Sequence, residues 1–570
     1  RVVIAMAERL GSRDQPYSTG QLYGLGLDGK RIKVLVGRED NPGLVATISI
    51  NPQWEMATLI DPLPDDPRNV LISAWKLGPE PLTVVDKLDV YSGRRARVAT
   101  APVNRAVFLS DANGRVRFAR GAKNDNYSKL YYRNGDGDDW RLINDQAESG
   151  RVESALGFSA DGHIAYLEVT QDTGPDAIVA WDTRTGERKQ ALRDPSVDPY
   201  ALILDRDGHT LLGVQYMDGR VHARLLEGGG EGARLYRALE QAFPDAAVNV
   251  TSYTRDGLAL VQVWNDRTPG DTYLFDPATM NVNGVFVARE WFDPAKLPKM
   301  RPVSVRARDG LALQGYLTLP AGAAEAAPLP MVVMPHGGPY GIFDEWAFDD
   351  DTQMLAEAGY AVLRINFRGS GNYGQRFRQA GARQWGGAMQ DDLTDATRWA
   401  IEQRIADPAR ICIYGASYGG YAALMGAARE PDLYRCAVGY VGVYDLEEMH
   451  RRDSAASRSM RNWVDDWVGE RDGLALRSPV GMAARIKAQV LLVAGGADQI
   501  APIVHSKRMA NALAKAGNPA QTLFFDTEGH GFYTTAHRRE FYQTLLDFLA
   551  RNLGGAQAAK GEAEGAAGGG

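Results

Sequence analysis

The stretch Arg410 to Tyr421 constrains the fold of this chain more than any other. Apolar, strand-like residues Ile411 to Tyr414 run without a break into Gly415-Ala416-Ser417-Tyr418-Gly419, and a small-residue stretch of helical character, Tyr421 to Arg429, follows. A strand that turns this sharply into a helix needs glycines, because the backbone passes so close to itself that a Cβ would clash. The serine at the apex then stands at the top of a sheet, in strained backbone, beside the positive end of a helix. In that context a G-x-S-x-G serine becomes a nucleophile. With 62 glycines in 570 residues the pentapeptide alone is a weak signal, so its surroundings must carry the reading.

Those surroundings alternate. From Val303 onward the pattern predicts strands at 303–307, 311–319, 330–334, 361–365, 411–414, 436–441, 489–493 and 522–525, with helices at 352–358, 390–403, 504–516 and 538–553. Apolar strands separated by helices imply a mostly parallel sheet with helices on both faces. Chemistry in such sheets gathers at the carboxyl ends of the strands. Three of these ends carry reactive residues: Ser417, then Asp498 after Val490 to Val493, then His530 after Leu523 to Phe525. The order Ser, Asp, His is that of the α/β-hydrolase triad. His530 would take the serine proton as the bond to the carbonyl forms and later return it to the leaving group; Asp498 would hold the imidazole tautomer and stabilise the imidazolium. The loop Pro335-His336-Gly337-Gly338-Pro339 is the expected oxyanion loop, with a backbone N–H near Gly337 set opposite that of Tyr418. His336 either donates from its ring or packs. His505 falls inside an expected helix, His537 sits beside Arg538 and Arg539, and Glu528 lacks the post-strand position of the acid, so none of these joins the triad.

The first half has another texture. Short β-branched and aromatic runs are separated by Asp/Gly turns whose central glycines are 29, 114, 162, 208 and 257, the last four 48, 46 and 49 residues apart. The first gap, of 85, reads as two periods with Pro64-Asp65-Asp66-Pro67 as a divergent turn between. A second set, Asp89 to Gly93 and Asp182 to Gly186, has the form Asp-x-x-(Ser/Thr)-Gly. A multi-strand unit recurring every forty-odd residues fits a propeller blade, and about six fit before residue 290. One helix, 231–242, interrupts the strands. The fold class is therefore an all-β propeller (1–290) followed by an α/β-hydrolase domain (291–553) and a Gly/Ala-rich tail (554–570) read as disordered. The chain opens at Arg1 inside a strand-like run, which reads as a trimmed start with a first blade before it. No compartment follows from the sequence.

Composition excludes some classes. A net charge of −7 without a basic cluster argues against nucleic acid. No apolar run reaches membrane-spanning length. Cys412 and Cys436, the only cysteines, both lie in strand-like runs and read as buried free thiols, too few for a disulfide framework or a cysteine zinc site. His163, His209 and His222 have no second ligand at metal-site spacing and read as packing or surface residues. No metal or cofactor is expected.

A propeller-like half joined to Pro335 to Pro339, Asn366-Phe367-Arg368-Gly369-Ser370, Gly415 to Tyr421, Gly495 to Asp498 and Glu528 to Phe532 resembles the prolyl oligopeptidase family of serine peptidases, nearest to its acylaminoacyl-peptidase and dipeptidyl-peptidase-like bacterial branches. The resemblance in motifs runs from about Val303 to Leu553; over the propeller it rests on architecture. It implies Ser417, Asp498 and His530 as the triad, oxyanion donors near Gly337 and Tyr418, and a propeller that admits only peptides. The double-glutamate motif by which dipeptidyl peptidases hold a free N-terminus has no convincing match in the first half. His336, Tyr444, Met449, Trp463 and Trp467 are candidates for the substrate pocket. The first half also resembles that of bacterial isopeptidases that open threaded lasso peptides. A carboxylesterase on the same machinery and a non-catalytic propeller binding protein are the alternatives.

Overall fold

The computed structural model describes residues 1–9, 13–37, 55–78, 80–254, 256–323 and 327–554. Among these, residues 2–286 form six antiparallel meanders of three or four strands, the six blades of a β-propeller, and residues 300–525 supply an eight-stranded sheet.

The Asp/Gly turns recur because they are the same hairpin. In the second to sixth blades the turns at 64–67, 111–114, 161–162, 205–208 and 256–257 all join the first strand to the second. Their chemistry repeats: Asp161 Oδ1 accepts the N–H of His163 at 3.0 Å while Gly162 takes φ 69°, and Asp111 Oδ1 accepts from Asn113 ahead of Gly114 at φ 70°. An aspartate that captures the backbone two residues on, followed by a residue that tolerates positive φ, is a self-contained turn. Asp89 and Asp182 do the same between the third and fourth strands of the second and fourth blades. The Gly29 turn is different. It joins the second and third strands of the first blade, so the 85-residue gap does not measure two equivalent turns. Between blades the strands bury their apolar sides, as where Phe118, Tyr132, Phe158, Leu167 and Trp181 pack together. The predicted propeller helix is Gly230–Ala242. His209 bridges blades, its ring nitrogens 3.2 Å from Asp61 Oδ2 and from the Ser110 carbonyl.

Numbered along the chain, the strands of the large sheet run 1-2-4-3-5-6-7-8; the pairings 1-2 and 2-4 are antiparallel and the rest parallel. The central strand Ala406–Ala416 shows why helices cover both faces. Ile411 and Ile413 face Ala396, Ala423 and Ala427, whereas Cys412 and Tyr414 face Phe541, Leu545 and Leu549 on the other side. Successive side chains leave a strand on opposite faces, so an unbroken apolar run serves two cores. One expectation fails here. Cys412 and Cys436 are not free thiols: register pairs them directly on adjacent parallel strands, with Cα atoms 4.6 Å apart on the same face, and they form a disulfide. Helices Leu446–Ala456 and Arg458–Trp467, after the sixth strand, also lie beyond the predicted set. The tail from 555 onward lies outside the described residues.

The two halves clasp at several points. Asp14 in the first blade donates its N–H to the Thr527 carbonyl and accepts from the Thr527 hydroxyl. Asn126 and Asn124 of the third blade bond Ser459 and Asn462. Asp198 of the fifth blade accepts the N–H of Gly374 at 3.0 Å, and a methyl on Gly374 would lie 2.2 Å from the Gly174 carbonyl oxygen. Beside this seam, burial and the charges of neighbouring carboxylates push Glu168 and Asp176 up to about 7. Folded protein thus keeps protons there that the unfolded chain sheds near pH 4. Stability is full below that and falls as pH rises through about 7. Melting at pH 8 is expected to fall below that at pH 5 by the equivalent of about 1–3 kcal/mol, with a smaller gap in Glu168→Gln; a gap that Glu168→Gln leaves unchanged would exclude this source.

Candidate active site

The turn after strand Ala406–Ala416 has the expected strain. Ser417 sits at φ 58°, ψ −119°, and its N–H is held by the Tyr440 carbonyl at 2.9 Å. The glycines are steric necessities. A methyl on Gly415 would lie 2.5 Å from the Gly419 carbonyl carbon, one on Gly419 2.2 Å from the Pro335 oxygen, and one on Gly420 3.0 Å from Gly442 Cα. Three backbone segments therefore meet at the elbow, and the helix Tyr418–Arg429 starts beside Ser417 with its first amides unpaired within the helix.

Asp498 and His530 are brought together. His530 Nδ1 lies 2.8 Å from Asp498 Oδ2, and the other carboxylate oxygen accepts the N–H groups of Ile500 and Ala501 at 2.8 and 2.9 Å. The Asp498 side chain is wholly buried. A carboxylate can only accept, so Nδ1 is the donor of this pair and, in the neutral tautomer, the lone pair lies on Nε2. Among the described residues no hydrogen bond joins Ser417 Oγ to His530; such contacts tighten when substrate binds. The loop that carries His530 is organised by Glu528. Its fully buried carboxylate accepts from the Tyr533 and Thr534 amides, the Thr534 hydroxyl and His537 Nδ1. Glu528 is thus the loop's scaffold, a role its sequence position did not disclose. Among the described residues, Glu528, Asp14 and His537 place possible ligand atoms within 4.8 Å of one another, but the Glu528 oxygens are already occupied by protein donors.

The Pro335 to Tyr340 loop reaches the same place. A methyl on Gly337 would lie 3.5 Å from Ser417 Cβ. His336 stacks on Phe367 at 4.3 Å, with Nε2 2.8 Å from Ser370 Oγ and Nδ1 2.7 Å from the Gly337 carbonyl. Burial pushes its pKa down, so the ring serves as an uncharged brace for the loop. Ser370 belongs to the Asn366 to Ser370 motif, which gives that motif a local purpose.

The pocket candidates separate. Tyr444 is fully buried against Gly439 and Gly442 in the core below the sheet, and Met449 is buried with Val464 and Leu474. Trp463 and Trp467 are half-buried on helix Arg458–Trp467 and surround Tyr340, whose ring lies 6.2 and 4.6 Å from theirs and whose hydroxyl donates to the Trp467 carbonyl at 2.7 Å. Tyr340, beside Pro339, thus joins these two tryptophans in one aromatic cluster. His505 is buried and pushed down to about 4, and its Nδ1 accepts the Asp445 N–H, a packing role.

Known proteins resemble this chain in sequence and fold. Residues 346–556 match the model of the prolyl oligopeptidase family. Dipeptidyl aminopeptidase BIII of Pseudoxanthomonas mexicana is 28% identical over 483 residues, 82% of this chain and 69% of that protein. Dipeptidyl peptidase family member 6 of Caenorhabditis elegans is 28% identical over 340 residues, 55% of this chain and 46% of that protein, so the match spans less than half of it. Among solved structures, a puromycin hydrolase superposes with a TM-score of 0.73 at 19% identity, over 97% of this chain and 86% of its own, a likeness of fold. Residues 346–556 thus form a prolyl oligopeptidase family domain, carried by this chain beside a six-bladed propeller.

Proposed function

We propose that Ser417, His530 and Asp498 are nucleophile, base and acid, and that the enzyme hydrolyses amide bonds of short or conformationally restricted peptides admitted past the propeller. The observation that supports this is the Asp498–His530 pair, joined through Nδ1 at 2.8 Å at the carboxyl ends of the strands, the same end of the sheet as the Ser417 elbow. Nε2 takes the Ser417 proton as Oγ adds to the carbonyl carbon. The oxyanion is met by backbone N–H groups at Tyr418 and near Gly337, each such donor contributing ~3–4 kcal/mol to the transition state. The imidazolium returns its proton to the leaving amine, and water repeats the cycle on the acyl-enzyme. Trp463, Trp467 and Tyr340 form an aromatic wall suited to an apolar side chain. The clasps through Asp14, Asn124, Asn126 and Asp198 close the propeller over the catalytic edge, which favours short chains over folded proteins.

The test is a peptide library with free and acetylated N-termini, linear and threaded members included, digested and read by mass spectrometry, alongside labelling by a fluorophosphonate. Cleavage of short members with stoichiometric labelling is expected. Turnover of p-nitrophenyl esters without any peptide cleavage would replace this reading with an esterase, and absence of labelling would remove the nucleophile.

A further inference from the structure

Tyr440 ends the strand Cys436–Tyr440, which lies between the strand leading to Ser417 and the strand leading to Asp498. In register it stands beside Ala416 on one side and Val493 on the other. The mechanism above makes no use of it. Yet two of its atoms hold the two halves of that mechanism. Its carbonyl accepts the N–H of Ser417 at 2.9 Å. Its hydroxyl oxygen accepts the N–H of Phe532, two residues beyond His530, at 2.6 Å. Between those contacts the ring cannot pivot: it stacks on Phe541 at 4.6 Å and meets Phe532 edge-on at 5.0 Å.

We infer that Tyr440 is a positioning residue that fixes the separation of nucleophile and base, acting as a single rigid strut from the Ser417 amide to the His530 loop. The inference rests on the reading of Ser417 and His530 given above. Its physical basis is that the two loops leave different strands, the second at the edge of the sheet, and would otherwise be referenced to each other through strand register and the Asp498–His530 contact alone on the imidazole side. Glu528 fixes the far part of the His530 loop, at Tyr533 and Thr534; Tyr440 fixes the part beside the imidazole. Gly531, at φ 115°, lets the backbone pass between, where even an added Cβ would remain 4.0 Å from the Tyr440 hydroxyl. A misplacement of about 1 Å between reacting groups costs on the order of 10²-fold in rate.

Tyr440→Phe removes the hydroxyl and keeps the ring. Per Ser417 site titrated with a fluorophosphonate, kcat on a cleaved peptide is expected to fall ~10–100-fold with KM within about twofold. The rate constant of labelling should fall by the same factor while labelling still runs to one per chain. Leu513→Ala, which opens a cavity in the core on the opposite face of the sheet, should lower Tm with kcat per site nearly unchanged. Rates per titrated site remain readable in a partly folded preparation. If Tyr440→Phe yields no titratable sites, p-aminophenylalanine at 440, similar in size and a poor acceptor, takes its place with the same expectation. A kcat per site within twofold of wild type, or an equal loss in Leu513→Ala, would overturn the inference. If Ser417→Ala labels as well as wild type, the underlying reading fails instead.

Discussion

Ser417→Ala is expected to lower kcat by ~10⁶-fold on any peptide the enzyme cleaves, with Tm nearly unchanged. The size follows from the cooperation of the three residues: once the nucleophile is gone, base and acid have no proton to move. Adding His530→Ala should therefore cost almost nothing further. Asp498→Asn should cost ~10⁴-fold, because an amide can stabilise the wrong imidazole tautomer. The residual rate should stay above that in water, since the backbone donors at Tyr418 and near Gly337 are untouched. Steady-state assays on purified variants, with fluorophosphonate titration of the wild type as the count of active sites, provide the check. Loss of less than tenfold in Ser417→Ala would assign the cleavage to another group.

Asp392→Ala should produce the largest loss of stability of any single side-chain truncation described here. The Asp392 carboxylate is wholly buried and accepts three hydrogen bonds from Arg368, from its amide at 2.9 Å, Nε at 2.8 Å and Nη2 at 2.7 Å. Arg368 is itself largely buried, and its remaining arm reaches Asp309. Removing one partner leaves a guanidinium in apolar surroundings with one partly exposed carboxylate, at a cost of ~3–5 kcal/mol. For a domain of this size that is a fall of roughly 10 °C or more in the hydrolase transition. The effect should spread to function, because the loop Arg368 anchors also supplies Ser370 to His336, and Asn372 and Gly374 to the propeller. Calorimetry of Asp392→Ala checks it; a shift below about 2 °C would mean that the loop is held by its other contacts. Asp392→Asn, which can still accept, should lose less.

What could be read in advance was what backbone geometry imposes locally. The elbow at Ser417 was legible because no residue but glycine fits at 415 and 419, and the blade period because each Asp/Gly turn is complete within a few residues. Asp498 and His530 could be located because each follows a strongly apolar strand. The features that escaped depend on neighbours brought from elsewhere. The Cys412–Cys436 bond follows from which strands become adjacent, and strand order is not written in either strand. Helix Leu446–Ala456 is charged over most of its surface and buries little besides Leu446 and Met449, so its apolar stripe is faint; helix Arg458–Trp467 carries Met460, Trp463, Val464 and Trp467 at helical spacing, but that stripe spans only about two turns. Tyr444 reads as a pocket residue until the sheet buries it. Glu528 looks like a spare carboxylate because the four donors that claim it are assembled only by the folded loop.

The order of the sheet also dictates when in the life of a chain this chemistry can begin. Strand Gln521–Phe525, which leads to His530, is the last of the eight strands of this sheet in chain order and takes the outermost place beside Gln489–Gly495. During synthesis, at ~5–20 residues per second, Ser417 leaves the ribosome several seconds ahead of the imidazole that would activate it. Through that interval the nucleophile is an ordinary alcohol, surrounded by unfolded polypeptide, its own included. On the proposed reading of Ser417 and His530, a base that arrives on the last strand of the sheet leaves the enzyme inert until the rest of the fold is in place.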